Sequence, residues 1–359
     1  MLSKESRYWF LSLSLLILTI IAKIFFLRGA VFGLDYGFFH PDGMLYSFKT
    51  LTYLGHSESA AGAEVSRFYL ENAVGSPQIS PESLFFSNNS NWEIFQLRIL
   101  YPLLSAPFVY VFGLWGMLAI PVVSFVILWM FVSVKLSNKF VLAFITLLIL
   151  SASSTISRWM FSNISDPLLV GLFTLYVWLL PKLNQLSKWT NLAVTCLFIV
   201  ATGLTRFSLL IWCAIALFYL FKRNYLIFFG ITFVAFLTFL PNLLVSFSGA
   251  ILPAHANSPW YAKLIILPIQ LVKMHFVEFS QLFILDRIFF FGLIFSLFLA
   301  IKNFKNESTW LLNLVFLSLV LTAGINGVLG VNFRYHLPVL PFMVAYLANY
   351  REDFRTLRK

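Results

Sequence analysis

Two carboxylates and three arginines sit beside chain-breaking turns rather than in charge clusters. Asp42 lies in the turn His40-Pro41-Asp42-Gly43 and opens a helical stretch running to about Leu54. Asp42 and Tyr46 share a face of that stretch at i, i+4. A carboxylate so placed can take a proton from a hydroxyl, or it simply caps the helix; both readings fit the local pattern. Asp35 is a second acidic candidate or a turn residue. Further along, in SRWMFSNISDPLLVGLF, Arg158 and Asp166 flank a short turn, and Pro167 takes the favoured first position of the next helix. Here Arg158 binds an anionic group while Asp166 orients the site, or both are capping residues. Arg206 lies between two short apolar runs that form a tight hairpin, and Arg334 lies in VNFRYHLPVLPF. The planar fork of Arg suits a bidentate grip on phosphate; the simpler alternative is a side chain snorkelling to a polar boundary. Arg158, Arg206 and Arg334 together point to an anionic ligand. His336 adds a hydrogen bond to it or is a satisfied structural histidine.

The elements that must position these residues follow from composition. Of 359 residues, 60% are hydrophobic and only 11% charged, with 42 Phe and 10 Trp. Soluble domains average about 45–50% apolar and about 25% charged, and no soluble interior hides so many aromatics. The apolar runs are approximately 8–29, 116–136, 140–156, 167–181, 190–204, 207–221, 225–247, 286–301, 309–326 and 336–350. The pattern predicts a single all-α, polytopic transmembrane domain over 1–359 with about ten membrane helices. The net charge of +11 is spread in short clusters between these runs. That argues for topology signals and against nucleic-acid binding.

The linkers Lys135–Lys139, Lys182–Lys188, Lys222–Arg223 and Lys302–Lys305 follow every second run. With Lys4, Arg7 and the tail Arg351–Lys359 they give one face fourteen basic residues and four acids. By the positive-inside rule that face, with both termini, is cytoplasmic. Ten carboxylates, every His and the long polar stretch 30–97 fall on the other face, so the site is expected to be extracytoplasmic. The first run is expected to be an anchor rather than a removable signal, and the chain a multi-pass protein of a plasma (inner) membrane.

Two segments complicate the count. Residues 97–113 would invert every later linker if they spanned, so a juxtamembrane or re-entrant helix is expected, broken or bent at Pro102 and Pro107. In the outer loop 248–285, residues 260–284 carry Lys263, Lys273, His275 and Glu278 among apolar residues, as an interfacial helix would. No HExxH, paired CxxC, G-x-S-x-G, Walker A or GxGxxG occurs. The histidines have no metal-ligand spacing, so a metal is unsupported, although carboxylates could still bind a divalent ion, and no cofactor is expected. Cys196 and Cys213 lie inside apolar runs as packing thiols. Asn88, Asn163 and Asn306 fit the glycosylation sequon by formula alone.

The order of motifs resembles the GT-C superfamily of integral-membrane glycosyltransferases across most of the chain. An anchor helix precedes a long outer loop opening with an acidic motif; RILYP, SR…SDP, LTR and a late RYHLPVLPF follow. The resemblance implies transfer of a sugar from a polyprenyl-phosphate carrier to a glycan, lipid or protein acceptor, with inversion, on the extracytoplasmic side. It implies Asp42 as general base and Asp166, with Arg158, as the second-loop motif, Asp166 being a second catalytic residue. The implied substrate-binding residues are Arg158, Arg206, Arg334 and His336, with Tyr46 and Arg98, which opens RILYP. The acidic motif is Asp-Gly rather than the paired acids of many members, which weakens a metal role. No soluble domain follows the tenth run in this sequence, so acceptor recognition is expected from loops, with Trp92 and several Tyr of 30–97 offering a sugar-stacking surface. Two other classes remain open: a lipid-phosphate or glycolipid transporter, and a non-catalytic subunit of an envelope-assembly complex.

Overall fold

The computed structural model describes residues 4–27, 39, 41–72, 96–206, 208–247, 259–302, 307–326 and 333–349. Asp35, His40, Trp92, the sequons at Asn88 and Asn306 and the basic tail 351–359 lie outside the described residues. Among the described residues the regular structure is helical, with no strand. The first part comprises α1 (Lys4–Leu27), α2 (Pro41–Tyr53), α3 (Glu58–Asn72) and α4 (Leu100–Phe112). A 3-10 segment, Gly113–Leu118, leads into α5 (Ala119–Lys135), α6 (Phe140–Ala152) and the short α7 (Ser154–Met160). The central bundle adds α8 (Asp166–Leu183), α9 (Lys188–Gly203), α10 (Leu209–Phe221) and α11 (Tyr225–Phe247). The last part comprises α12 (Trp260–Leu285), α13 (Arg287–Lys302), α14 (Glu307–Asn326), α15 (Phe333–His336) and α16 (Leu340–Asn349).

Three stretches are long and apolar enough to cross a membrane: Glu5–Ile24, Leu100–Lys135 and Asp166–Leu183. The pair α6 and α7, bent by 67° at Ser153, makes a fourth if taken as one span. Shorter apolar segments follow at Leu209–Phe221, Tyr225–Pro241, Trp310–Leu321 and Leu337–Ala348. A helix of about 13 residues reaches only about 20 Å, short of a hydrocarbon core of about 30 Å. By length and composition, the described residues therefore hold three or four candidate crossings, against the ten apolar runs of the sequence.

In α1 the outward positions are apolar, Phe10 being 66% exposed, while the inward face carries polar groups. Tyr8 donates to the Ser133 carbonyl at 2.8 Å, the Ser12 and Ser133 hydroxyls lie 2.7 Å apart, and Trp129 Nε1 donates to Ser12 Oγ at 3.1 Å. One helical stretch further on, the Thr19 and Ser151 hydroxyls meet at 2.8 Å. This is how helices associate where burial of apolar surface gives no preference for protein over lipid: by interhelical hydrogen bonds and close packing. The central core is aromatic. Trp212 on α10 lies 5.5 Å from Phe173 and 5.1 Å from Tyr176, both on α8, and donates its indole N–H to Thr202 at 2.7 Å.

The stretch Leu100–Lys135 is not straight. Tyr101 Oη donates to the Met117 carbonyl at 2.8 Å, whereas sixteen residues of continuous helix would separate the two by about 24 Å. The reversal comes at Gly113, whose φ of 58° favours glycine. Of the sequence expectation that Pro102 and Pro107 break or bend this segment, the break is corrected. α4 runs through both, because Pro102 lies in its first turn and Pro107 is accommodated inside. Gly116 then packs onto the α4 backbone, where a Cβ would fall 2.3 Å from the Phe108 carbonyl oxygen.

Chain direction decides where charged residues collect. α8 begins at Asp166 and ends beside Lys182, and α9 runs back from Lys188 toward Arg206. Asp166 and Arg206 therefore share the end of the bundle opposite those lysines. Lys139, also away from that end, donates to the Leu347 carbonyl at 3.0 Å in the last turn of α16, where a cation complements the helix dipole. Farther along, α12 is a continuous helix of 26 residues whose Ile265, Ile269, Val272 and Phe276 form an exposed apolar stripe. Gly116→Ala should force the hairpin apart and destabilise the purified protein by about 1–3 kcal/mol. A lowered thermal midpoint in detergent measures this; an unchanged midpoint would show that the hairpin yields freely.

Candidate functional site

At the end of the bundle opposite Lys182, three segments distant in sequence converge: α2, the stretch from α7 through the turn 161–165 to the start of α8, and α15. Asp42 lies inside the first turn of α2, not ahead of it as an N-cap. Its Oδ2 accepts a hydrogen bond from Arg334 Nη1 at 2.7 Å. The Asp42 side chain is 30% exposed and that of Arg334 10%. The carboxylate thus faces open space while its counter-ion is packed in the protein.

The packing partner of Arg334 is Trp159 on α7. The Arg334 guanidinium lies 5.6 Å from the indole centroid, and Arg158 lies 4.9 Å from the same indole. A buried ring that holds two guanidinium groups by cation–π attraction keeps their planar forks oriented. Trp159 was not among the residues singled out in the sequence. The signal was its position beside Arg158, which alone does not distinguish it from any buried aromatic. His336, two residues after Arg334, is buried, with its ring 6.5 Å from that of Phe316.

One turn after Asp42, Tyr46 is buried, and its hydroxyl lies 2.8 Å from Ser165 Oγ. Arg98 Nη1 donates to the same phenolic oxygen at 3.2 Å. The i, i+4 spacing read from the sequence therefore puts an ion pair and a hydrogen-bond relay on one side of α2. Gly43 makes this approach possible: a Cβ there would fall 2.1 Å from Asn163 Oδ1. Asn163 donates to the Tyr69 hydroxyl, and Ser47 Oγ lies 3.3 Å from that same hydroxyl, so α3 is bound into the network. Burial pushes the Tyr69 phenol above its usual range, and its bonds to Ser47 and Asn163 oppose that only in part. On the same helix, Lys49 donates to the Gln96 carbonyl at 2.5 Å, and burial pushes its ammonium down to about 8. α2 is docked rather than solvated. The sequon match at Asn163 is a structural asparagine, because Asn163, Ile164 and Ser165 are all buried and a glycan would have no exit.

Directly after Ser165, Asp166 accepts from Arg206, and both side chains are about 5% exposed or less. This pair fixes the start of α8 to the end of α9. The Leu100 amide donates to the Leu204 carbonyl at 3.0 Å, which ties α4 to the same corner. The structure thus separates Arg158, Arg206 and Arg334. Arg334 and Arg158 share Trp159 beside Asp42, whereas Arg206 is engaged by Asp166 in the interior. Asp166 and Arg206 tie the frame together, and Asp42, Arg334 and Arg158 gather around one indole. Among the described residues no group of three or more His, Cys, Asp or Glu side chains is gathered as a metal site.

No family model, curated protein or solved structure matches the chain. The geometry is therefore the ground for the functional reading. Removing one member of a buried ion pair strands the other charge and costs about 3–5 kcal/mol, whereas removing both costs much less. Arg206→Gln should therefore unfold at markedly lower temperature, and Asp166→Asn with Arg206→Gln should recover most of the loss. A double variant no better than the single one would exclude this framing role.

Proposed function

We propose that this protein is a membrane glycosyltransferase of GT-C-like architecture, with about ten membrane helices. It moves a sugar from a polyprenyl-phosphate carrier to an acceptor hydroxyl at the extracytoplasmic face, with inversion. The observation that carries the reading is the juxtaposition of a part-exposed carboxylate, Asp42, with two guanidinium groups on one buried indole. One member takes a proton and the others take a developing phosphate charge, which are the two tasks of such a transfer.

In this reaction the acceptor oxygen attacks the anomeric carbon from the face opposite the phosphate. The carbon–oxygen bond to the phosphate breaks, its electron pair staying on the phosphate oxygen, and the hydroxyl proton passes to Asp42. Arg334 and Arg158 stabilise the charge that accumulates on the leaving phosphate, a task for donors oriented in advance. Tyr46, through Ser165 and Arg98, sets the pitch of α2 and with it the position of Asp42. Asp166 and Arg206 position the frame and stay clear of the reacting atoms. Because Arg334 is bonded to Asp42, an arriving phosphate competes with the carboxylate for that arginine. Binding of the donor then releases the base it needs.

Asp42→Asn should fold normally yet lose about 10²–10⁴-fold in turnover with a panel of polyprenyl-phosphate sugars. The same variant should bind polyprenyl phosphate in nanodiscs several-fold more tightly, because Arg334 loses its anionic competitor. Arg334→Gln should bind it more weakly. Wild-type turnover by a folded Asp42→Asn protein removes Asp42 as the base. Lipid phosphate moved between leaflets without covalent change would instead make the protein a transporter.

A further inference from the structure

Outside this site, one carboxylate holds two helix starts at once. Asp286 lies between α12 and α13 and is 4% exposed. Its Oδ2 accepts from Ser153 Oγ at 2.6 Å and from the Thr155 amide at 2.8 Å, both at the start of α7. Its Oδ1 accepts from the Phe289 amide at 3.0 Å in the first turn of α13. Ser153 in turn accepts from the Ile156 amide at 3.0 Å, so serine and carboxylate share the unpaired donors of α7. Both helix N-termini aim a backbone amide at this one carboxylate. A carboxylate this deep in an apolar bundle is costly unless hydrogen-bonded, and the donors it gathers point to its task.

The task follows from what α7 carries. α6 and α7 meet at 67° at Ser153, and α7 has only seven residues. It is too short to hold its own orientation by helix propagation. Arg158 and Trp159 stand within one turn of the end that Asp286 grips. We propose that Asp286 is a positioning residue: by clamping α7 to α13 it sets the Trp159 ring and, through it, the spacing of Arg158 and Arg334. This rests on the functional reading above only in assigning those arginines to a phosphate.

The test uses the full chain in nanodiscs, with two readouts. Hydrogen exchange over residues 155–160 reports the clamp without any ligand. Asp286→Ala should speed that exchange at least tenfold, while Asp286→Asn, which keeps an acceptor oxygen for Thr155, should restore most of the protection. Polyprenyl phosphate is the probe for the second readout. Its affinity should fall at least tenfold in Asp286→Ala and recover in Asp286→Asn, although neither change touches the arginines. Ser153→Ala, which keeps the carboxylate but removes its bridge to Ile156, gives the same two readouts if Asp286→Ala does not fold. Unchanged exchange in α7 would overturn the clamp. Faster exchange with unchanged probe affinity would overturn its link to the arginines. Failure of the wild type to bind the probe would refute the phosphate site and the proposed spacing role, while the exchange arm would still decide the clamp.

Discussion

A charge taken into an apolar helix bundle must find its counter-charge or a set of hydrogen-bond donors there, because desolvation costs several kcal/mol per ion. In this protein that requirement is met by partners distant in the chain. Asp42 and Arg334 are 292 positions apart, and Asp166 and Arg206 are 40 apart. Asp286 reaches back 133 positions to Ser153. Each pairing is therefore also a tether between helices that apolar packing alone would leave free to slide or rotate. That all three carboxylates serve the same end of the bundle, the two ion pairs at the candidate site and Asp286 behind it, gives that end its defined shape.

The three carboxylates differ in burial, and the difference sorts their work. Asp166 and Asp286 are nearly inaccessible and are hydrogen-bonded to protein groups. Asp42 is part-exposed and faces its arginine from the open side. A neutral network supports it from behind: Tyr46 on Ser165, Asn163 on Tyr69, and Gly43 against Asn163.

Much of the scaffold was legible in sequence. The apolar runs around 8–29, 116–136, 140–156 and 167–181 become α1, α5, the α6–α7 pair and α8 because a local apolar stretch flanked by polar residues has no other way to satisfy its backbone. The helix after Pro41 and the shared face of Asp42 and Tyr46 followed from local periodicity. Gly113 rather than the neighbouring prolines turns the chain back, since proline costs a helix one hydrogen bond whereas reversal needs a backbone conformation open to glycine. Trp159 and Asp286 escaped notice, and Gly43 was read only as a turn residue, because nothing in their local sequence separates a packing residue from one that positions a site.

Residue types and spacing determined by themselves that the chain is helical, strongly apolar and charged in two unlike sets, with Asp42, Arg158, Asp166, Arg206 and Arg334 as the charges to be explained. They did so because helix periodicity and the distribution of charge between apolar runs are local properties. Tertiary structure alone decided which arginine answers which carboxylate: Arg206 is held inside by Asp166, and Arg334 stands with Arg158 over Trp159 beside Asp42. Electrostatic partnership depends on distance in space and on burial, and neither is written in distance along the chain.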